Sequence, residues 1–244
     1  MDGVLVTGSR AIPGAPEFIG RLKAAGAPFL VLTNNSRYTP DDLRARLASA
    51  GLDIPHESLF TSALATAHFL SQQRPGGSAY AVGETGVLSS LKDIGFVLTE
   101  HNPEYVVLGE TVSYSIEQLT HATRLVAAGA RFVATNPDVV GPSEGGIHPA
   151  CGAVAALITA ATGVKAYFIG KPNPLMMRLA LQQIGVHSRE AIMVGDRMDT
   201  DIVAGTEAGM ETILVLSGVT RKEDVDRFPY RPARIVGSVA DIRP

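Results

Sequence analysis

The chain has one cysteine and no tryptophan among its 244 residues. One cysteine forms neither an internal disulfide nor a thiolate metal cage, so a structural zinc site of that kind is excluded and a reducing compartment is expected. Charge of one sign is scarce as well. The 21 Lys and Arg against 24 Asp and Glu leave a formal charge of −3, so no basic field advertises a nucleic-acid polymer as partner. No apolar run reaches the roughly 20 residues that span a bilayer. The first residues lack a basic region followed by an apolar one, so no secretory signal is visible. The six histidines are scattered with no pair at i, i+4, which leaves a histidine-based metal site unsupported. Repeats and low-complexity tracts are also missing. These absences together predict a cytoplasmic protein with no membrane partner.

What remains is an ordinary globular composition, 45% hydrophobic and 18% charged, with 25 Gly and 15 Pro. The length suits one large domain or two small ones. Short apolar runs recur at residues 29–32, 79–82, 106–108, 132–134, 168–169, 191–194 and 212–216. Most are continuous rather than alternating, as expected for strands covered by helices on both faces of a parallel sheet. Helical segments lie between them. Thr39-Pro40-Asp41-Asp42 combines an N-cap, a first-turn proline and two acids at the positive end of the dipole, with Gly51 as the stop. Ser115 to Gln118 reads as a capping box opening a helix that ends near Ala128-Gly129. Strand, helix, strand in this order predicts an α/β fold built on a doubly wound parallel sheet of Rossmann-like type.

In such sheets ligands bind beyond the carboxyl ends of the strands. Polar residues gather at four places of that kind: Asp2-Gly3 near the start, Thr33-Asn34-Asn35, Gly170-Lys171-Pro172, and the run from Gly195-Asp196 to Asp201. Singly, each has a plainer reading. Asp2-Gly3 and Thr33-Asn34-Asn35 suit turns, Lys171 suits a solvated surface, and the acidic run suits a helix start favoured by the dipole. Their order along the chain is what makes them a set.

Taken together, these four segments resemble the motifs of the haloacid dehalogenase superfamily, in the order and spacing of its NagD-like, class IIA branch. Val82-Gly83-Glu84, the segment from Ala134 to Asp138, and Pro149-Ala150-Cys151-Gly152 resemble that branch too. The resemblance covers essentially the whole chain. It implies a phosphatase core at residues 1–61 and 167–244 with an inserted α/β cap domain at 62–166, whose closure would exclude water. In the family the first motif carries two aspartates one residue apart. Asp2 matches the second, and the first, the nucleophile, would sit one position before Met1. The resemblance therefore implies that this sequence begins inside the motif.

Phosphoryl transfer needs a nucleophile, dispersal of phosphate charge, and a metal to neutralise what remains. Asp196, followed by two more acids, suits Mg²⁺, a hard cation that prefers oxygen and keeps several waters. The resemblance adds the backbone carbonyl of Asp2 and the upstream aspartate to that metal site. Thr33 and Asn34 offer donors to phosphate oxygens, and Lys171 is a compact positive charge that holds phosphate and offsets neighbouring carboxylates. Asp2 is the candidate to protonate a leaving alkoxide and then activate water. Arg197, Met198, Asp199 and Thr200 are expected to form the loop bordering the substrate, with Asp201 orienting its neighbours. In the cap, Asn136, Asp138 and the loop 145–152 are candidates for sorting substrates, with a plain turn as the competing reading of Asn136 to Asp138. Cys151 is expected to be a small buried hydrophobe.

The function implied is Mg²⁺-dependent hydrolysis of a small phosphorylated metabolite, with nucleoside monophosphates as the first substrate class. Sugar phosphates, phosphoglycolate and pyridoxal phosphate are substrates of related members. A catalytically inactive phospholigand-binding protein is the alternative of a different class. A homodimer is the default assembly for a soluble protein.

Overall fold

The apolar runs form strands because each carries β-branched or aromatic residues between turn-forming glycines and polar caps. The computed structural model describes residues 1–143 and 146–243, and it divides into two units by internal contacts: Met1–Thr33, Pro40–Phe60 and Lys171–Pro244 in the first, Asn34–Thr39 and Thr61–Gly170 in the second. The chain opens with a two-residue hairpin, β1 (Val6–Thr7) and β2 (Arg10–Ala11). Helix α1 (Ala15–Ala24), strand β3 (Val31–Thr33), helix α2 (Pro40–Ser49) and strand β4 (Leu59–Thr61) follow. Gly51 takes a left-handed φ of 81° beyond α2, where its amide and that of Leu52 cap the last carbonyls of the helix.

The second unit then runs through α3 (Ser62–Gln73), β5 (Ser78–Val82), α4 (Thr85–Asp93), β6 (Val97–Leu98) and β7 (Tyr105–Leu108). After them come α5 (Ile116–Ala127), β8 (Arg131–Ala134), the hairpin β9 (Val140–Ser143) and β10 (Gly146–Pro149), α6 (Cys151–Thr162) and β11 (Tyr167–Phe168). Five of these strands make one parallel sheet in the order β11-β8-β7-β5-β6. Every residue of β7 is buried, which is the continuous apolar signature of a strand covered on both faces. Val106, Leu108, Phe132 and Ala134 pack against Leu119, Ala122 and Val126 of α5 and Cys151, Val154, Ala155 and Ile158 of α6. The capping box at Ser115 is present, with both reciprocal bonds made. Its helix presents Leu119, Ala122 and Val126 at helical spacing to that core.

The chain returns to the first unit with α7 (Pro174–Ile184), β12 (Ile192–Gly195), α8 (Val203–Glu207), β13 (Glu211–Val215) and β14 (Arg234–Val236). The last three strands form a parallel sheet in the order β12-β13-β14. Helix α7 has Asn173 as its cap, Pro174 in its first turn and a left-handed Gly185 at its end. The strand expected at 29–32 is observed at Val31–Thr33, and the one expected at 168–169 at Tyr167–Phe168, an edge of the five-stranded sheet. Among the described residues no helix is long and apolar enough to cross a membrane.

Candidate active site

In the first unit, β12 ends at Gly195 and the chain turns through the short π-helical stretch Met198–Ile202. That turn folds Asp201 back beneath the strand end. Its Oδ2 accepts the amides of Asp196 at 3.1 Å and Arg197 at 3.2 Å, while Oδ1 pairs with Lys171 Nζ at 2.7 Å. A β-carbon at Gly195 would overlap the Asp201 side chain, so the turn needs glycine there. The Lys171–Asp201 pair is nearly dry, with side-chain exposures of 10% and 5%. Burial alone would push Asp201 up, but the Lys171 ammonium and its hydrogen bond hold the carboxyl below the usual range.

Asp196 is buried beside this pair. Its Oδ2 accepts the Val219 amide at 2.9 Å, and its carbonyl accepts the Thr220 amide at 3.0 Å. Gly3 and Gly218 press on the carboxylate so closely that a β-carbon on either would overlap it. Ser217 Oγ donates to the Gly3 carbonyl at 2.7 Å and ties the first residues to the end of β13. Burial, and next the repulsion of Asp201, raise the Asp196 pKa.

The structure thus brings Lys171, Asp196 and Asp201 together. Thr33 is buried at the end of β3 in the same unit. Asp2 is placed differently: its side chain is exposed and lines a cavity of about 160 Å³ with Val6, Ser9, Leu43 and Leu47. The part of the first motif that meets Asp196 is the backbone of Gly3. Met198 goes into the core with Ile202, Leu214 and Val225, and its backbone groups bond Thr220 Oγ1 and the Tyr230 hydroxyl. Its side chain is therefore spent on packing, which corrects the expectation of a substrate contact there. Thr200 is buried as well. Arg197 and Asp199 form a bidentate pair, Nε to Oδ1 at 3.0 Å and a terminal nitrogen to Oδ2 at 2.9 Å.

Asn34 belongs to the second unit. Its side-chain amide donates to Asp138 Oδ2 at 2.9 Å, and its carbonyl accepts from Asn136 Nδ2 at 2.9 Å and from Ser62 Oγ. Asn136 is fully buried, with its own Oδ1 taking the Asp138 amide at 3.1 Å. Both ends of that amide are engaged within the unit. Of the loop 145–152, residue 145 lies outside the described residues; the rest forms β10 and the start of α6. Cys151 is fully buried, and burial pushes its thiol up to about 12, the inert hydrophobe expected. Sequence reasoning missed Gly218, Val219 and Thr220 around Asp196. Their signal was position, directly after the apolar run 212–216.

Among the described residues no group of three or more His, Cys, Asp and Glu gathers as a metal-binding cluster. The donor set here is one buried carboxylate, Asp196, beside a salt-bridged one. That suits Mg²⁺, which is held by one or two carboxylates, waters and substrate phosphate.

A profile described as Haloacid dehalogenase-like hydrolase matches residues 1–97, and a HAD-hydrolase-like profile matches residues 168–242. The chain is 55% identical over 242 residues to dihydroxyacetone phosphatase of Corynebacterium glutamicum strain R, covering 99% of this chain and 88% of that one. It is 47% identical over 242 residues to ribonucleotide monophosphatase NagD of Escherichia coli K12, covering 99% and 95%. The chain belongs to the haloacid dehalogenase-like hydrolases. Acid sugar phosphatase of Staphylococcus aureus, 42% identical over 233 residues, covers 95% of this chain and 90% of its own. The solved structure of NagD from E. coli K-12 superposes with a TM-score of 0.95 at 46% identity, covering 99% of this chain and 95% of that one. Within this family the protein is a NagD-like, class IIA phosphatase, a phosphomonoester hydrolase.

Proposed function

We propose that the protein hydrolyses small phosphomonoesters with Mg²⁺ through an aspartyl-phosphate, with nucleoside monophosphates as the first substrate class. The observation that carries this reading is the dry Lys171–Asp201 pair beside buried Asp196 at the end of β12. Lys171 supplies positive charge to phosphate oxygens, and Asp201 fixes its position. Thr33, and Asn34 next to it in the chain, contribute donors to the same oxygens; Arg197, Asp199 and Thr200 border the site. Asp196 and the Asp2 carbonyl would hold Mg²⁺, which when bound supplies charge neutralisation to the transferring phosphoryl group.

In this reading the nucleophile is the first aspartate of the family's two-aspartate motif, whose second is Asp2. Its carboxylate oxygen bonds phosphorus as the ester P–O bond breaks, and the alkoxide takes a proton from Asp2. Water then attacks phosphorus, gives its proton to Asp2 and frees the carboxylate. For Asp2 this role requires the carboxylate to turn out of the cavity it lines. The charge of Lys171 and the single cysteine of a reducing compartment favour a cytoplasmic metabolite as substrate.

A second reading of the substrate is favoured by a specific finding: the 55%-identical relative is named for dihydroxyacetone phosphate and another for acid sugars. A panel of nucleoside monophosphates, dihydroxyacetone phosphate and sugar phosphates, assayed with Mg²⁺ and with chelator, separates the two. Highest kcat/KM for a nucleotide supports the first reading, and highest for a triose or sugar phosphate supports the second. Mg²⁺-independent turnover, or no turnover by the full-length protein, contradicts both.

A further inference from the structure

The carboxyl-end edge of a parallel sheet is where α/β proteins bind ligands. In the second unit the groups at that edge instead grip a piece of the same unit, Asn34–Thr39. After β5, Glu84 Oε1 accepts Arg37 Nε at 3.1 Å and the Gly86 amide donates to the Arg37 carbonyl at 2.8 Å. A β-carbon on Gly86 would sit 2.6 Å from the carbonyl oxygens of both Ser36 and Tyr38, so the helix start lies directly on the segment. After β7 comes Glu110, and after β8 come Thr135 and Asn136.

Ser36 and Glu110 bracket each other. The Glu110 amide donates to Ser36 Oγ at 2.9 Å, and the Ser36 amide donates to Glu110 Oε2 at 3.3 Å. This is the reciprocity of a capping box, made between two segments 74 residues apart. Thr135 Oγ1 adds a third bond to Ser36 Oγ at 2.9 Å. Asn136 links Glu110, whose carboxylate its side chain also bonds, to the Asn34 carbonyl. Ser36, Thr135 and Asn136 are each fully buried. Glu110 itself is half-buried beside them, and desolvating a carboxylate even partly is costly.

We infer that Glu110 is a positioning residue for the phosphate grip: through Ser36 and Asn136 it fixes the segment that begins at Asn34. This rests on the phosphatase reading above for what the segment does, and on geometry alone for how it is held. Burial lifts the Glu110 carboxyl to about 7, offset by its bonds from Ser36 and Asn136, raised again by Asp138 and lowered by Arg37. Tyr114, Cys151 and Glu84 are the other titratable groups facing this cluster. Protonation replaces an acceptor by a donor, so the bracket loosens as pH falls through neutrality.

The test uses the full-length protein and the variants Glu110→Gln, Glu110→Ala and Ser36→Ala. Hydrogen exchange of the amides of residues 34–39 reads the segment directly, and kcat and KM for p-nitrophenyl phosphate with Mg²⁺ at pH 6 and pH 8 read its consequence. Glu110→Ala is expected to speed exchange across the segment and raise KM roughly 10- to 100-fold, with a smaller fall in kcat. Glu110→Gln, which like the protonated acid offers one acceptor and one donor, is expected to show at pH 8 the KM that the wild type shows at pH 6, with no further change between the two. Ser36→Ala shows the same direction with smaller size and serves if Glu110→Ala fails to fold. Unchanged exchange and KM in Glu110→Ala overturns the positioning role and leaves the phosphatase reading standing. An inactive wild type whose segment still loosens in Glu110→Ala overturns the phosphatase reading, and with it any positioning of phosphate.

Discussion

Both units place polar residues at the carboxyl ends of parallel strands, and they use them in opposite ways. In the first unit the cluster is ionic: Lys171 against Asp201 and Asp196, with one carboxyl held below its usual range and the other raised. In the second it is a lattice of hydrogen bonds centred on Ser36, Thr135 and Asn136, bracketed by the Glu110 carboxyl, which burial lifts to about 7. Opposed shifts within one cluster are the mark of a site prepared for charge. A saturated lattice is the mark of a scaffold. The same architecture therefore yields a place to receive a phosphate and a frame that holds a loop.

The comparison breaks most visibly at Lys171. Lys171→Met leaves buried Asp201 unpaired, and is expected to cost about 3–5 kcal/mol of stability along with turnover; urea denaturation and an esterase-type phosphate assay read both. A fall of under 1 kcal/mol would mean that the pair is less dry than it stands. Glu110→Gln goes the other way. The native carboxyl titrates near 7 and the unfolded one near 4.5, so the native state binds more protons between these values. Wild-type stability from this group therefore rises as pH falls from 7 to 4.5. At pH 8 the Gln variant is expected to be the more stable by roughly 1–3 kcal/mol, a gap that closes by pH 4.5 in thermal melts across that range. An unchanging gap would place the titration elsewhere.

Gly195→Ala sharpens the first half of the comparison. Its β-carbon would overlap Asp201, so a loss of about 1–3 kcal/mol is expected together with lowered Mg²⁺-dependent turnover. A variant that melts early yet keeps full turnover would separate the turn from the site. The smallest effect is expected at the rim. Arg197→Ala removes a partly exposed ion pair with Asp199, worth about 0.2–1 kcal/mol in a melt.

Much of this was legible in the residues. The runs at 79–82, 106–108, 132–134 and 212–216 are strands because they are continuously apolar, and Ser115 to Gln118 caps a helix as its spacing requires. The hairpin β9–β10 and the edges β6 and β14 are short and mixed in character, so no period marks them. Met198 was misplaced because an acidic run looks like solvated loop, whereas a π-helical turn rotates its apolar members inward. Asn136 read equally as a substrate-sorting residue and as part of a turn, and only the tertiary bond to Asn34 shows why it is buried. Glu110 follows the strand end at Leu108 by the same positional logic that singled out Lys171 and Asp196, but nothing local distinguishes a gripping carboxylate from a solvated one.

The central claim is that the Lys171–Asp196 cluster, and not the Glu110 lattice, receives the phosphate. Calorimetric titration of inorganic phosphate in Mg²⁺ into wild type, Lys171→Met and Glu110→Gln at pH 8 tests it most directly. Binding abolished in Lys171→Met and retained in Glu110→Gln is the predicted result; a folded Lys171→Met protein that binds phosphate as tightly as wild type would contradict it.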